Sequence, residues 1–201
     1  MTETVTALSK TGNTPLVRAA YTWLNKPRLD KNGGGQSWGF TAILTMEQVK
    51  EYKLDVLANQ VLREKFGADA KFGPKFRSPF RREDSYDPCP EEFVGKMMLP
   101  MFSKNRPIKI ADINLIPIDP ATAPDKIYSG MWVHANYTCY AYDSEKQKGV
   151  NFGLNSVMKA LDGEPLSGAP SDPARDFKDV DRSQYVNDGS VAMGSGADLD
   201  I

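Results

Sequence analysis

The stretch YSGMWVHANYTCYAY, residues 128–142, predicts a β-strand whose two faces differ in chemistry. Every second residue from position 129 onward is small or mostly apolar, as expected of a face that packs on a tight core. The opposite set is rich in rings: Trp132, His134, Tyr140 and Tyr142. Two explanations stay open at this point. A helix or loop covers these rings, or they form a surface on which flat ligands stack.

Length and composition favour one globular domain with additional segments. The chain has 201 residues, of which 40% are hydrophobic and 25% charged, and no apolar run approaches the length of a membrane span. The first 15 residues lack the basic start and apolar stretch of a secretory signal, so we expect none. Cys89 and Cys139 are the two cysteines and form no CxxC motif, which favours a reducing compartment, the cytoplasm.

Charge is divided unevenly along the chain. Residues 162–201 carry nine acidic and three basic residues, a net charge of −6, whereas residues 1–161 carry 17 acidic and 22 basic residues, a net charge of +5. A basic body followed by an acidic tail favours a polyanionic ligand. The tail then repels that ligand, imitates it or binds a third partner.

Periodicity predicts a mainly β fold with one helix between early strands. The helix begins after Thr45, which has capping-box spacing to Gln48, and ends at Gly67. Residues 1–15 are predicted to be a flexible terminus, and residues 162–201 a flexible tail. Strands are predicted within 16–29, 37–46, 92–107, 108–118 and 128–142, and 148–161 is predicted to start as a strand and finish as a short helix. This order favours a small closed β-barrel or a sandwich over a βαβ sheet.

A loop that alternates cations with rings follows the helix. KFGADAKFGPKFRSPFRRED, residues 65–84, holds six basic residues before its acidic end, against one acid, Asp69. Glycine and proline make this segment irregular, so its phenylalanines have no regular face to bury. The loop is either solvated, with its rings tucked onto the body, or it closes over a nucleic-acid backbone and stacks a ring on a base.

The end of the chain, GSGADLDI, alternates acidic and apolar residues: Asp198, Leu199, Asp200 and Ile201. Such an end is either a solubilising tail or a tethered competitor for the basic face that also docks partner proteins. A tether holds it at roughly millimolar effective concentration, which favours competition.

The sequence gives little support for an enzyme. His134 is the one histidine, so no histidine cluster can bind a metal, and no Walker-type phosphate loop is present. A nuclease metal site with Lys96 can be drawn from Asp84, Asp87, Glu91 and Glu92, but acids in a proline-rich loop are usually solvated. Cys89 lies far in sequence from His134, which disfavours a Cys–His nucleophile.

Several stretches together resemble a known family. KFRSPFRRED (75–84), KIYSGMWVHANYTCYAY (126–142), KGVNFGLNSVMKALDGEPLSG (148–168) and the closing GADLDI resemble phage-encoded single-stranded DNA-binding proteins. The resemblance implies a five-stranded Greek-key OB-fold barrel at residues 16–161. It also implies a non-catalytic protein without cofactor or metal that coats DNA in phage replication, recombination and repair, in the host bacterial cytoplasm. The acidic tail would bind phage replication or recombination proteins, and a homo-oligomer is possible.

These observations predict a sequence-nonspecific interface for single-stranded DNA. The predicted phosphate contacts are Lys71, Lys75, Arg77, Arg81, Arg82, Lys96 and Lys104. The predicted ring contacts are Phe72, Phe76, Phe80, Trp132, His134, Tyr140 and Tyr142. Two alternatives remain: an RNA-binding or strand-annealing protein of the same fold, and a virion or assembly protein that uses the aromatic face as a protein interface.

Overall fold

The computed structural model describes residues 10–29 and 35–166, a mainly β body with two short helices. The helices are α1 (Met46–Glu51) and α2 (Leu54–Phe66). The strands are β1 (Thr11–Asn13), β2 (Val17–Ala20), β3 (Arg28–Leu29), β4 (Gln36–Leu44), β5 (Phe76–Arg77), β6 (Met97–Lys104), β7 (Lys109–Ala111), β8 (Pro117–Ile118), β9 (Trp132–Asp143) and β10 (Lys148–Leu161).

Five strands pair in a path that returns to its start. β9 pairs with β2, β2 with β4, β4 with β6, β6 with β10, and β10 pairs back with β9. The β6–β10 pairing is parallel and the other four are antiparallel. β1 continues the edge that β2 begins, because Thr11–Asn13 pairs with β9 opposite residues 136–138. The remaining strands extend this path: β3 pairs with β4, β5 and β7 pair with β10, and β8 pairs with β7.

The inner face of the path is the hydrophobic core. The alternation predicted for 128–142 is confirmed, since Val133, Ala135, Tyr137 and Cys139 are all buried. Phe40, Met101 and Phe152 are fully buried from three other strands, and each such side chain contributes about 1.5–3 kcal/mol. Burial raises the pKa of the Cys139 thiol to about 12, so this thiol stays protonated at neutral pH.

The predicted helix begins and ends where expected but is divided in the middle. Thr45 and Gln48 form the capping box, with hydrogen bonds of 2.9 and 3.1 Å. Lys53 adopts a left-handed backbone conformation with φ of 53°, which ends α1 and redirects the chain into α2. Gly67, with φ of 104°, closes α2 as predicted. The apolar stripe of α2 packs on the core through Leu54, Leu57, Ala58, Val61 and Leu62.

Two sequence expectations about secondary structure are wrong. The second half of 148–161 is not a helix, because β10 runs unbroken from Lys148 to Leu161. Its residues favour helix locally, but β9 on one edge and β7 on the other supply backbone partners, and tertiary pairing overrides propensity. Residues 11–13, assigned to a flexible terminus, form β1. Neither helix of the described segments is long and apolar enough to cross a membrane.

A short strap, residues 162–166, crosses the body where the flexible tail was expected to begin. Leu166 N donates to Ser129 O at 3.0 Å, and the Arg18 guanidinium donates to Glu164 O at 2.6 Å. Lys159 and the Tyr128 hydroxyl both contact the Asp162 carboxylate, and these two hydrogen bonds lower its pKa. The strap is therefore part of the folded body, and residues 167–201 lie outside the described residues.

Gly130 is the position that most clearly requires a glycine beneath the strap. Its φ is +117°, and a Cβ would collide with the carbonyl oxygen of Glu164. We expect Gly130→Ala to lower the free energy of unfolding by about 1–3 kcal/mol. For a domain of this size, that loss lowers the melting temperature by roughly 2–12 °C.

The control is Gly73→Ala, because the backbone of Gly73 is not left-handed and a Cβ added there would meet nothing within 4 Å. Thermal unfolding followed by circular dichroism compares the two variants. Equal melting temperatures for the two variants would contradict the close contact between the strap and Gly130.

Candidate nucleic-acid interface

The outer face of β4 and β6 is covered at one end and open at the other. At the covered end, Ile43 and Met98 are paired across the strands and pack with Ala20 under the buried ring of Phe93. Farther along the same face, Thr41 pairs with Pro100, Gly39 with Phe102 and Ser37 with Lys104. Because side chains alternate across a strand, these outer positions share one surface. Five of them, all except Gly39, line an open groove.

The groove has a volume of about 890 Å³ and combines rings with cations. Its walls are the segment after β2, residues 21–29, and the segment around Arg81 and Tyr86. The rings are Tyr21, Trp23, Tyr86 and Phe102. The cations are Arg28, Arg81 and Lys104, and none of the described residues that line the groove is acidic.

Backbone and side-chain hydrogen bonds fix the first wall. Trp23 N donates to Gly39 O at 2.9 Å, which ties the wall to β4. Thr22 N donates to the Ser129 hydroxyl at 3.0 Å. The Asn25 amide donates to Pro124 O at 2.9 Å and to Ile127 O at 3.0 Å. Trp23 is thus held at the groove by the main chain rather than by its own packing alone.

The second wall is attached to β6. Arg81 exchanges two backbone hydrogen bonds with Met98, of 2.8 and 2.9 Å, while its side chain is exposed. Tyr86 stands against Phe93, with ring centroids 4.8 Å apart and an interplanar angle of 68°. Burial raises the pKa of the Tyr86 phenol, and the nearby Arg81 guanidinium opposes that rise. Arg81 and Tyr86 are therefore close neighbours on the groove wall.

The groove cations make no ion pair within residues 10–29 and 35–166. The ion pairs in that part of the chain are Lys10–Glu64, Lys148–Asp143 and Lys159–Asp162. Guanidinium and ammonium groups outside these pairs, beside rings that are exposed or half-buried, suit a ligand that carries phosphates and flat bases together.

Arg81 joins the groove to the predicted basic loop. It also lines two smaller concavities, of about 410 and 490 Å³. Phe72 and Arg82 line the first, Arg77 lines the second, and Phe80 lines both. The Arg77 guanidinium donates to the Gln147 side chain at 3.0 Å, which fixes the loop against the β9–β10 turn. The structure therefore brings six predicted residues to the groove and to the two concavities that share Arg81 with it: Phe72, Arg77, Phe80, Arg81, Arg82 and Lys104.

Other predicted cations and one predicted ring lie elsewhere. Phe76 is only 8% exposed and packs 4.7 Å from Phe66, so it is a core ring that a base cannot reach. Lys75 lies over that ring at 5.3 Å. Lys75 and Lys71 are exposed but line none of the three cavities. Lys96 precedes β6 and is separated from Lys104 by the length of that strand, about 26 Å. Lys96 also lines none of the three cavities.

The rings of β9 point outward as predicted, and two of them, Trp132 and His134, are half-buried against neighbouring segments. Gly163 of the strap approaches the Trp132 indole so closely that a Cβ would lie 3.1 Å from Nε1. A ring nitrogen of His134 lies 3.1 Å from Thr14 O. Tyr140 is 40% exposed and lies over Gly153, while half-buried Tyr142 lies beside Gly149. None of these four rings lines the groove, and Trp132 and His134 are partly covered.

The sequence argument missed most of the groove. It did not single out Tyr21, Trp23, Arg28, Tyr86 or Phe102. A usable signal existed on β6, where Pro100, Phe102 and Lys104 alternate with buried residues. Tyr21 and Trp23 carry no such periodic signal, because they follow β2 in an irregular segment.

No metal cluster is formed by the side chains that the structure describes. No group of three or more His, Cys, Asp or Glu residues in that part of the chain could hold a metal ion. The four acids considered for a nuclease site belong to this part. Within residues 10–29 and 35–166, these four acids form no metal site.

Solved structures with a similar fold come from bacteriophages. The single-stranded DNA-binding protein from bacteriophage Enc34 in complex with ssDNA matches with a TM-score of 0.67 and 21% identity, over 78% of this chain and 89% of that chain. A second structure of the single-stranded DNA-binding protein from bacteriophage Enc34 matches with a TM-score of 0.64 and 18% identity, over 84% of this chain and 90% of that chain. The single-stranded DNA-binding protein gp2.5 of bacteriophage T7 matches with a TM-score of 0.50 and 12% identity, over 82% and 98%. At these identities the likeness shows a shared fold.

A family comparison extends over most of the sequence. No match was found among curated protein sequences. The family model described as the ssDNA-binding protein of Enterobacter phage Enc34 matches residues 10–187. Because that match spans most of the 201 residues, this chain belongs to the Enc34 ssDNA-binding protein family.

Proposed function

We propose that the protein binds single-stranded DNA of any sequence in the groove on β4 and β6. The observation that carries this proposal is the groove itself, where four rings and three cations meet without an acidic side chain among the described residues. Rings can stack on bases only when the bases are unpaired, which favours single strands over duplex. Membership in the Enc34 family supports the same conclusion.

The fold that we propose for the body is a five-stranded OB-fold barrel. In that fold, the face of the second and third strands and the adjacent loops bind oligonucleotides. Along the closed path, β2 is the first strand, β4 and β6 are the second and third, and β9 and β10 are the last two. The groove on β4 and β6 has the position that this assignment requires. The β9–β10 turn, which holds Gln147 against Arg77, is the corresponding last loop.

Binding without sequence preference follows from the chemistry of the groove. Arg28, Arg81 and Lys104 contact phosphates, which are identical at every nucleotide. The rings stack on base faces, and each such contact contributes about 1–3 kcal/mol whatever the base. The protein acts by coating DNA and carries out no reaction, in phage DNA replication, recombination and repair within the host cytoplasm.

The acidic tail is the proposed regulator and partner-binding segment. The described chain leaves the body at Leu166, which lines a small pocket together with Tyr21 of the groove wall. The tail is acidic, with a net charge of −6 over residues 162–201, whereas the charged side chains of the groove are basic, so a tethered acidic end can compete with DNA for the groove. We propose that Asp198, Leu199, Asp200 and Ile201 compete with DNA there and, when displaced, bind phage replication or recombination proteins.

The proposed function predicts a preference for unpaired DNA over duplex. We expect oligo-dT to bind at least about tenfold more tightly than duplex of equal length, because duplex withholds base faces from the rings. Fluorescence anisotropy of labelled oligonucleotides measures both affinities. Matched RNA serves as a second ligand for the RNA-binding alternative. Equal affinity for single strand and duplex would refute the proposal.

The phosphate contacts predict a change in salt dependence. We expect Arg81→Ala and Lys104→Ala each to make the slope of log K against log salt shallower by about 0.7, the value for one phosphate contact on a single strand. Lys50→Ala is the matched control, because Lys50 is exposed on α1 and lines none of the three cavities. The groove assignment fails if the control changes the slope as much as the two groove variants do.

Tail competition predicts tighter DNA binding after truncation. We expect removal of residues 190–201 to raise affinity for oligo-dT at low salt, and the gain to shrink as salt screens the charges. The full-length variant with Asp198→Asn and Asp200→Asn should reproduce part of the gain. Unchanged or weaker binding of the truncated protein at low salt would rule out competition.

A further inference from the structure

One of the two concavities that share Arg81 with the groove has the charge that a nucleic acid requires. This concavity, of about 490 Å³, is lined by Arg77, Phe80 and Arg81, and none of its described lining residues is acidic. The other, of about 410 Å³, has the carboxylates of Asp55 and Asp84 in its lining. An anionic chain that leaves the groove at Arg81 is therefore attracted into the first, which we name the Arg77 concavity, rather than into the second.

The Arg77 guanidinium is held by a turn that is itself fixed. One of its N–H groups donates to the side-chain oxygen of Gln147 at 3.0 Å. Gln147 N donates to the Ser144 hydroxyl at 3.1 Å, and that hydroxyl donates to Gln147 O at 2.7 Å, which closes the β9–β10 turn. Because Gln147 is neutral, it orients the guanidinium without cancelling its charge. The planar fork keeps further N–H groups that can bind a phosphate.

Gly149 brings a phenol close to the same arginine. It pairs with Arg77 of β5 on one edge of β10 and with Tyr142 of β9 on the other. A Cβ at Gly149 would lie 3.0 Å from the Tyr142 hydroxyl oxygen and 3.1 Å from the Arg77 Cβ. The absent side chain therefore lets Tyr142 approach the stem of Arg77 across β10. Tyrosine hydroxyls are among the groups that contact phosphate oxygens, so Tyr142 suits the edge of the Arg77 concavity.

Phe80 supplies the apolar side of the Arg77 concavity. Its ring packs toward the core, with its centroid 6.1 Å from that of Phe152, and its backbone N donates to the Ser78 hydroxyl at 3.1 Å. The ring is half-buried and lines the concavity with the surface that remains. An aromatic surface beside two guanidinium groups is the combination that binds a base and its phosphate together.

We propose that the Arg77 concavity binds the nucleotides that follow those in the groove, with Arg77 on a phosphate and Phe80 against a base. Arg81 contacts the phosphate where the two parts of the site meet, and Gln147 is a positioning residue for Arg77. This inference rests on the proposed function and extends the DNA site beyond the groove. It implies a length threshold, because a strand short enough to fill only the groove does not reach Arg77.

Chemical modification of arginines tests the threshold on the wild-type protein. Phenylglyoxal modifies exposed guanidinium groups, and mass spectrometry gives the modified fraction at each arginine. The ligands are oligo-dT of about 4 and about 14 nucleotides, near the two limits of site size for one OB fold. Each is used at the concentration that halves modification of Arg81. The control is Arg63, which is exposed on α2 and lines neither the groove nor the concavities that share Arg81.

We expect the long oligomer to protect Arg77 as strongly as Arg81, the short one to protect Arg77 less than half as strongly, and neither to protect Arg63. If the long oligomer protects Arg81 and leaves Arg77 reactive, the Arg77 subsite is refuted while the proposed function stands. Equal protection of Arg77 by both oligomers would refute the length threshold. If neither oligomer protects Arg81 at any concentration, the proposed function itself fails.

Salt dependence tests the roles of Arg77 and Gln147. Arg77→Ala removes the cation, and Gln147→Glu places a carboxylate against it. We expect each variant to make the slope of log K against log salt shallower by about 0.7 for the long oligomer and to leave the slope for the short one unchanged. Lys50→Ala is the control, because it lowers the net charge by one as the other two variants do.

The subsite is refuted if Arg77→Ala changes the slope for neither oligomer, or for both equally. An unchanged slope in Gln147→Glu would remove Gln147 as a positioning residue. Thermal unfolding accompanies the binding measurements, because loss of the turn alone would lower the melting temperature without this dependence on oligomer length.

Discussion

Hydrogen bonding of β10 along both of its edges is the constraint on which the rest of the body depends. β9 pairs with one edge of β10 from Lys148 to Leu161, and β5, β6 and β7 follow one another along the other edge. These pairings join β6 to β9 and so return the strand path to its start. The path then has one inner face, which is the core, and one outer face, part of which is available to a ligand.

The outer face of β4 and β6 forms a groove because other side chains cover one of its ends and leave the other end open. Phe93 and Leu166 cover the end that contains Ala20, Ile43 and Met98, whereas the end that contains Phe102 and Lys104 stays open. The Phe93 ring also packs edge-on against the rings of Tyr21 and Tyr86, which lie between the covered end and the open end. Packing at the covered end therefore determines the geometry of the groove beside it. For this reason, substitutions in Phe93 or in the strap should change both the stability of the body and its affinity for DNA.

Sequence patterns predicted correctly the features that depend on residues close together in the sequence. The alternation in β9, the capping box at Thr45 and the end of the helix at Gly67 were correct because each depends on neighbours in sequence. The helix expected at the end of β10 was wrong because its strand partners are distant in sequence. The same limit applies to the candidate site. A distinctive loop drew attention to Arg77, Phe80 and Arg81, which line cavities on this side of the body, whereas Tyr21 and Trp23 reach the groove only through tertiary contacts. Trp132 lies outside the groove and is partly covered by Gly163, about 30 residues later, a contact that the strand pattern does not predict.

The most direct test of where DNA lies uses the tryptophans. Trp23 lines the groove, Trp132 is on the outer face of β9, and Trp38 is buried. Intrinsic fluorescence is followed during titration with oligo-dT for the wild type and for Trp23→Phe and Trp132→Phe. If DNA lies in the groove, quenching persists in Trp132→Phe and is largely lost in Trp23→Phe. Quenching that persists in Trp23→Phe and is lost in Trp132→Phe would instead place the DNA on β9 and refute binding in the groove.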